Sequence, residues 1–290
     1  MSMEANRRRA ARGLYLESWR LGAGHLFRSL ASGRAPSWRE AVKRLLVPMD
    51  LTRYYELSRA VCEFRDAELV LDLSSPKLAA FYAARRHPSS TYVAIDRFQR
   101  ELRGWEPIRR TARLQNLSLQ AADMTQLPYR NGVFDRVYSL SVIEHLPDKL
   151  DEAALREIRR VLKPGGWLQI TIPFAAKYKE KYLEQSIYED SPSKGGVFFF
   201  RYYDRERYEK KFRGAGWRIE AEEICEEAPL PLTRWFESLA PWSYLSGPWL
   251  GLFAAVNFRV RGYGSGSPAG HADLYACFQK TPEEPKLQGA

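Results

Sequence analysis

The chain has 290 residues, 45% hydrophobic and 28% charged. That suits one large domain, or a domain with a subdomain, and excludes a wholly disordered chain. Lys and Arg number 45 against 35 Asp and Glu, a formal charge of +10, and residues 1–50 carry ten basic side chains against four acidic ones. A basic end of this kind suits nucleic acid, anionic lipid or an acidic partner, or serves only solubility. Cys62, Cys225 and Cys277 match neither a zinc site nor a disulfide framework, so a reducing cytoplasm is expected, and no metal constellation appears. The N-terminus lacks the apolar core and cleavage site of a signal peptide.

Residues 1–35 read as a basic tail or amphipathic helix, with Leu14, Leu16, Trp19, Leu21, Leu26 and Phe27 as apolar members at imperfect spacing. A helical cap is expected over 36–66, with Ser37 capping a helix at 38–46 and a second helix at 51–64 carrying Tyr54, Tyr55, Leu57, Val61 and Phe64. From Glu68 strands alternate with helices. Strands are predicted at 68–73, 91–96, 117–123, 133–140 and 167–172. Helices are predicted at 76–85, around Trp105 and Ile108, and at 151–162. Lys163-Pro164-Gly165-Gly166 ends the last of these, because Pro cannot continue a helix and Gly permits a left-handed cap.

After Pro173 comes an aromatic insertion at 174–203, then a helix at 204–212 and a strand at 217–225. Residues 226–270 are irregular, and a closing strand follows at 271–280. Gly262-Tyr263-Gly264-Ser265-Gly266 neither follows a predicted strand nor opens a helix, so it reads as a flexible linker. The alternation predicts an α/β fold with a doubly wound parallel sheet, its core over 67–225 and 271–280, and acceptor-side insertions at 174–203 and 226–270.

Ligands of such sheets bind beyond the carboxyl ends of the strands. Here those ends carry Asp72, Asp96, Asp123 and the run Ser139-Leu140-Ser141. An acid ending a second strand can hold both hydroxyls of a ribose, and an acid beside an apolar residue, such as Asp123-Met124, can meet the edge and face of an adenine. Each acid taken singly also suits a helix cap.

These residues, with Asp123-Met124-Thr125-Gln126-Leu127-Pro128-Tyr129, Phe134-Asp135-Arg136-Val137-Tyr138-Ser139, Val142-Ile143-Glu144-His145-Leu146 and Leu162-Lys163-Pro164-Gly165-Gly166, resemble class I S-adenosylmethionine-dependent methyltransferases, most nearly the small-molecule branch. The likeness runs from Glu68 to Pro173. It implies a seven-stranded sheet whose last strand is antiparallel, N-terminal helices and aromatic-rich lids, and S-adenosyl-L-methionine as cofactor. By the resemblance Asp96 meets the ribose hydroxyls and Arg97 lies beside the adenine. Asp123 faces the adenine amino group, with Met124 on the ring. The backbone carbonyl of Ser139 meets the cofactor's amino group, and Asp72 opens the first loop.

That loop departs from the family's glycine-rich pattern. It reads Asp72-Leu73-Ser74-Ser75-Pro76-Lys77-Leu78, with no glycine. Ser74 takes a place in it, and Ser75 and Pro76 suit a helix cap and first turn, which keeps a helix N-terminus for the cofactor's carboxylate. Lys77 is expected either to contact that carboxylate or to turn into solvent. His145 is the candidate catalytic residue, as a proton acceptor beside the methyl acceptor, or else a histidine held in place by Glu144 or by backbone.

The acceptor side is assigned to the helix with Tyr54 and Tyr55, to the aromatic run at 178–208, and to residues 238–258, which contain no charge, with Trp235, Trp242 and Trp249 recurring every seven residues. Prolines and glycines interrupt that last stretch, which therefore reads as a lid, an interfacial element or a packed subdomain rather than a spanning helix. The expectation is a cytoplasmic enzyme, with a possible peripheral contact to a membrane surface, that methylates an oxygen or carbon of a small, aromatic or lipid-like acceptor. The alternatives are a catalytically retired scaffold, because of the altered loop, and an RNA methyltransferase, because of the charge. Against nucleic acid, Ser139-Leu140-Ser141-Val142 stands where a base-flipping Asn-Pro-Pro-Tyr-like motif would be.

Overall fold

The computed structural model describes residues 3–31, 51–66, 68–147, 149–184, 196–214, 216–227, 258–268 and 272–282. The helix expected at 38–46, Ser37, Tyr188 and the tryptophan-bearing stretch at 235–249 lie outside the described residues.

Eight strands form one sheet: β1 (Leu69–Leu73), β2 (Thr91–Asp96), β3 (Leu117–Ala121), β4 (Phe134–Leu140), β5 (Leu162–Phe174), β8 (Trp217–Glu227), β9 (Phe258–Gly262) and β10 (Ala272–Lys280). Their order is β3-β2-β1-β4-β5-β10-β8-β9. The first five are parallel, and β10 runs antiparallel to both β5 and β8. The expected count of seven is exceeded by one, because β9 adds to the free edge of β8. The strand order reverses between β1 and β4, and at such a switch point the two crossover helices leave a crevice at the carboxyl ends.

Helices cover both faces. Strand side chains alternate between two cores, so Leu71, Val137, Ile170 and Leu274 pack on one face while Val70, Tyr138 and Tyr275 pack on the other. The first core faces α5 (Leu150–Val161). It buries Ala154, Ile158 and Val161 at spacings of three and four. The second faces α1 (Met3–Ala31), α2 (Leu51–Val61), α3 (Leu78–Arg86) and α4 (Gln99–Ala112). Between α2 and the sheet runs a buried polar network. Arg59 grips Glu223 and Glu63, Tyr275 donates to Glu63, and Gln169 joins Tyr275 to Arg136, itself paired with Glu68. Satisfied throughout, such a network fixes the helix in one register; broken, it is costly.

Three expectations change. The run at 163–166 is not a terminating turn outside the sheet, since β5 begins at Leu162. Its chain bends there, with Gly165 at φ 75, and Gly166 passes so close to the Lys163 carbonyl that a Cβ would lie 2.9 Å from it. The aromatic insertion holds a hairpin, β6 (Lys179–Leu183) with β7 (Val197–Tyr202), followed by α6 (Arg205–Phe212). Alternation is obscured there because Phe198, Phe199 and Phe200 follow one another in β7. The Gly262–Gly266 segment is no loose linker. Tyr263 is buried against Tyr208 and Phe174 and lies under the Arg205 guanidinium.

Helix α1 takes in Leu14 and Leu21 but leaves Leu16, Trp19, Phe27 and Leu30 at least half exposed. Its predicted apolar set therefore divides between two faces, with arginines beside the exposed one.

Candidate active site

The site is built where β1, β2, β3 and β4 end. Asp72, in β1, is covered on all sides. Its Oδ1 accepts from the Ser75 backbone at 2.8 Å, and its Oδ2 has no partner among the described residues. Burial pushes the carboxyl up to about 6, against the pull of the Lys77 charge and of the hydrogen bonds from Ser75. Two further buried polar atoms, the Tyr138 hydroxyl and Ser139 Oγ on β4, also lack partners among the described residues. Groups of this kind are expensive to bury unless something completes them.

Asp96 ends β2 and accepts from the Phe98 backbone at 3.0 Å through Oδ1. Arg97 follows it and is exposed. Asp123 lies just beyond β3 and accepts from both the amide and the hydroxyl of Thr125 at 2.8 and 2.6 Å, all through Oδ1. Met124 beside it is buried. Because β1, β2 and β3 are adjacent and parallel, Asp72, Asp96 and Asp123 share one edge of the sheet.

The first loop is where the structure departs from expectation. Helix α3 starts at Leu78, and Lys77, not Ser75, occupies its N-cap, with no side-chain cap bond. Ser75 Oγ instead accepts from the Leu140 amide at 2.9 Å, which ties the loop to β4. Ser74 has φ 57, a left-handed conformation in which a side chain is strained. Lys77 neither reaches into solvent nor lies over the helix end. Its Nζ is folded under the loop, donates to the carbonyls of Ser75 and Ile95 at 3.0 and 3.3 Å, and stands 3.3 Å from Asp96 Oδ2. The loop still lies against β2, since the Ser74 amide donates to the Ile95 carbonyl at 3.1 Å, and the Lys77 ammonium reaches the same carbonyl.

S-adenosylmethionine needs a diol acceptor, an adenine edge and a partner for its ammonium. Along the sheet edge the acids run Asp123 with Met124, Asp96, then Asp72 with its partnerless oxygen, and they would meet the adenine, the diol and the ammonium in turn, so the residues present fit the cofactor. The fit requires Lys77 to share Asp96 with the ribose.

His145 lies in a 3-10 turn, Ile143–His145, after β4. Its Nδ1 is 2.8 Å from the Phe199 carbonyl, which can only accept, so Nδ1 carries the proton. Burial holds the imidazole below its usual range despite that bond. The ring packs on Phe199 and Phe200, so β7 roofs it. Tyr55, by contrast, faces the sheet and donates to Glu223, away from the acceptor side.

The residues that the motifs did not disclose are Glu56 and Asp273, whose charges, after burial, help push the Glu144 carboxyl up. Glu56 lies on α2, with Arg53 at 2.6 Å and the Ser141 hydroxyl at 2.5 Å. Asp273, opposite Pro173 at the start of β10, meets the same edge because β10 is antiparallel. Glu144 was visible beside His145, but nothing local marks the other two. Beyond the β6–β7 hairpin a cavity of about 510 Å³ is lined by Tyr178, Tyr182, Phe198, Arg201, Arg207 and Lys211.

Residues 71–170 match the family described as Methyltransferase domain. Among curated proteins, Methyltransferase GfsG of Streptomyces halstedii is 32% identical over 94 residues, covering 32% of this chain and 33% of its own length. An O-methyltransferase of Pyrenophora dematioidea is 36% identical over 96 residues, covering 32% and 34%. A probable tRNA methyltransferase 9B of Bos taurus is 34% identical over 80 residues, covering 27% and 17%. The matches thus span about a third or less of these relatives' lengths. Among solved structures, the [4+2]-cyclase SpnF superposes with a TM-score of 0.52 at 20% identity, covering 86% of this chain and 85% of that one, a likeness of fold. The strand-end acids Asp72, Asp96 and Asp123 lie within the segment, 71–170, that is similar to the Methyltransferase domain family.

Proposed function

We infer that the protein transfers the methyl group of S-adenosylmethionine to an oxygen or carbon of a small, aromatic or lipid-like acceptor. The observation that supports this best is the row of Asp72, Asp96 and Asp123 along one sheet edge, with the inner oxygen of Asp72 unpartnered among the described residues. Bound there, the cofactor supplies an electrophilic methyl group on a sulfonium. The chain's residues supply placement. Asp96 holds the ribose diol, Asp123 and Met124 hold the adenine, and Asp72 and Ser139 hold the amino-acid end. The Ser74–Lys77 loop closes over it, Arg97 borders the adenine, and Lys77 remains near Asp96.

His145 is neutral near physiological pH and keeps its proton on Nδ1, so its Nε2 lone pair can take a proton from a hydroxyl as it is methylated. Isothermal titration with S-adenosylmethionine and S-adenosylhomocysteine tests the reading. Binding of both, abolished by Asp96→Ala, is expected, and absence of binding refutes it.

One observation favours a retired scaffold: Lys77 already occupies the charge of Asp96. Another favours RNA, since a tRNA methyltransferase is among the relatives and the chain carries +10. A steep fall of RNA binding with salt would support that second reading. Peripheral membrane contact is supported by the exposed Leu16, Trp19, Phe27 and Leu30 of α1 beside arginines, and cosedimentation with anionic vesicles tests it. No described helix is long and apolar enough to cross a membrane. A cytoplasmic setting is supported by three unpaired cysteines.

A further inference from the structure

We propose that Phe199 and Arg201 of β7 act together as positioning residues for His145, holding its imidazole in the tautomer whose Nε2 can take a proton from the methyl acceptor. The proposal rests on the methyltransferase reading and assigns the part of that site which orients the base.

The β6–β7 hairpin is irregular where it meets the histidine. Lys181 of β6 pairs with Phe200, and the next residue, Tyr182, pairs with Phe198. Phe199 stands between those two pairs as the extra residue of a β-bulge. Bulges interrupt the ladder locally and aim a group elsewhere. Here the Phe199 carbonyl lies 2.8 Å from His145 Nδ1. The rings of Phe199 and Phe200 pack on the imidazole, with centroids 5.2 and 5.7 Å away.

Two residues on, Arg201 grips the same turn from its other end. Its Nη2 donates to the Leu146 carbonyl at 2.6 Å, and its Nη1 stands 3.3 Å from Asp151 Oδ2. His145 is thus tied to β7 through its ring, and the residue after it through its backbone. Asp151 is fully buried in the first turn of α5. Its Oδ2 also receives the Tyr203 hydroxyl at 3.0 Å and the Lys211 ammonium. One carboxylate therefore gathers donors from β7, from the residue that follows it and from α6. The base of the hairpin is fixed to β5 by the Tyr203 backbone, which bonds Pro173 and Ala175 at 2.9 Å each.

The two ties have separate tasks. A carbonyl can only accept, so it selects the Nδ1–H tautomer for as long as β7 stays within hydrogen-bond reach. Arg201 holds it there. Its guanidinium is 4% exposed, is anchored on a buried acid, and makes a charge-assisted bond to the backbone of the turn itself. An imidazole released from Phe199 populates both neutral tautomers, and the form protonated on Nε2 has no lone pair there to offer. Glu144 cannot stand in for the carbonyl, because its Oε1 faces Nε2, at 3.9 Å, and not Nδ1. Arg201 does more than neutralise Asp151, since Lys211 and Tyr203 already meet that oxygen. Replacing Arg201 therefore leaves the buried acid with a cation, which favours a folded variant.

The full chain, labelled with nitrogen-15 histidine, should be followed by two-bond proton–nitrogen correlation spectra near pH 8, where the imidazole is neutral. His145 is identified among the four histidines by comparison with His145→Gln. Wild-type His145 is expected to carry its proton on Nδ1 alone. Arg201→Gln should move roughly half or more of the population to Nε2–H. Tyr203→Phe removes another bond to Asp151 without touching the turn, and should leave the tautomer as in wild type. A wild-type proton on Nε2, an unchanged tautomer in Arg201→Gln, or an equal shift in Tyr203→Phe overturns the proposal. If Arg201→Gln does not fold, Arg201→Lys keeps a charge near Asp151 but has one nitrogen for two partners. It should show the same shift to a smaller degree, and no shift overturns the proposal equally. S-adenosylhomocysteine binding is measured in parallel. Binding with an unmoved tautomer refutes the positioning role and leaves the methyltransferase reading standing. A tautomer shift without cofactor binding keeps the hold of β7 on His145 and refutes the methyltransferase reading.

Discussion

Replacing Asp72 by Asn removes one charge from the covered end of β1 and changes the side chain's shape very little. Asn can still accept from the Ser75 amide, as Asp72 Oδ1 does at 2.8 Å. The ordinary carboxyl value is 3.8, and burial pushes Asp72 up to about 6. At 1.36 kcal/mol for each tenfold change in proton affinity, keeping that carboxylate ionised near neutral pH costs the fold about 3 kcal/mol.

The sign follows from proton counting. Between about pH 4 and pH 6 the native state holds the Asp72 proton and the unfolded chain does not, so wild-type stability falls as pH rises through that window and stays lower above it. Asn carries no such penalty. Asp72→Asn should therefore raise stability by up to about 3 kcal/mol near neutral pH, or roughly 6 °C in melting temperature for a chain of this size. The gain should vanish near pH 4. It should come with weaker S-adenosylhomocysteine binding, since the ammonium loses its counter-charge. Thermal unfolding followed by far-ultraviolet circular dichroism across this pH range, with titration calorimetry for the ligand, measures both. A variant no more stable than wild type near neutral pH, or a difference that persists unchanged near pH 4, would refute the reasoning.

Lys77→Met removes the cation beside Asp96 and Asp72 and should cost about 3 kcal/mol in chemical denaturation, because a buried pair loses one partner. Combined with Asp72→Asn the loss should shrink by about 1 kcal/mol or more, and strict additivity would show that the two do not interact. Gly166→Ala places a Cβ 2.9 Å from the Lys163 carbonyl and 3.1 Å from that of Asp135, so a loss of about 1–3 kcal/mol is expected; a neutral result would mean that the β4–β5 entry yields easily. With a hydroxyl acceptor, His145→Ala should lower the rate by about a hundredfold or more, and wild-type activity should decline only below the ordinary imidazole range, because burial holds His145 low. A loss under tenfold would make His145 a positioning residue.

Much of the fold was legible from local chemistry. The strand starts and ends on β1, β2 and β4 agree with the predicted spans to within a residue or so, because alternation and β-branched runs are local signals. The order of the strands rests instead on crossover handedness and on the family resemblance. The hairpin at 179–202 was illegible for the opposite reason: with aromatics at successive positions, period two leaves no trace.

What the sequence by itself determined about this protein is the succession of strands and helices and the acids at the strand ends, since these depend on neighbours a few residues apart. Only the tertiary structure decided the direction of Lys77, whose Nζ turns under the loop to the Ile95 carbonyl and to Asp96 at the end of β2. It also decided the meeting of Glu56 with Ser141. The two are distant in sequence, and they touch only because α2 lies across the carboxyl ends of the sheet. Sequence carries the chemistry of each side chain; the proximity that gives it a partner exists only once the sheet is assembled.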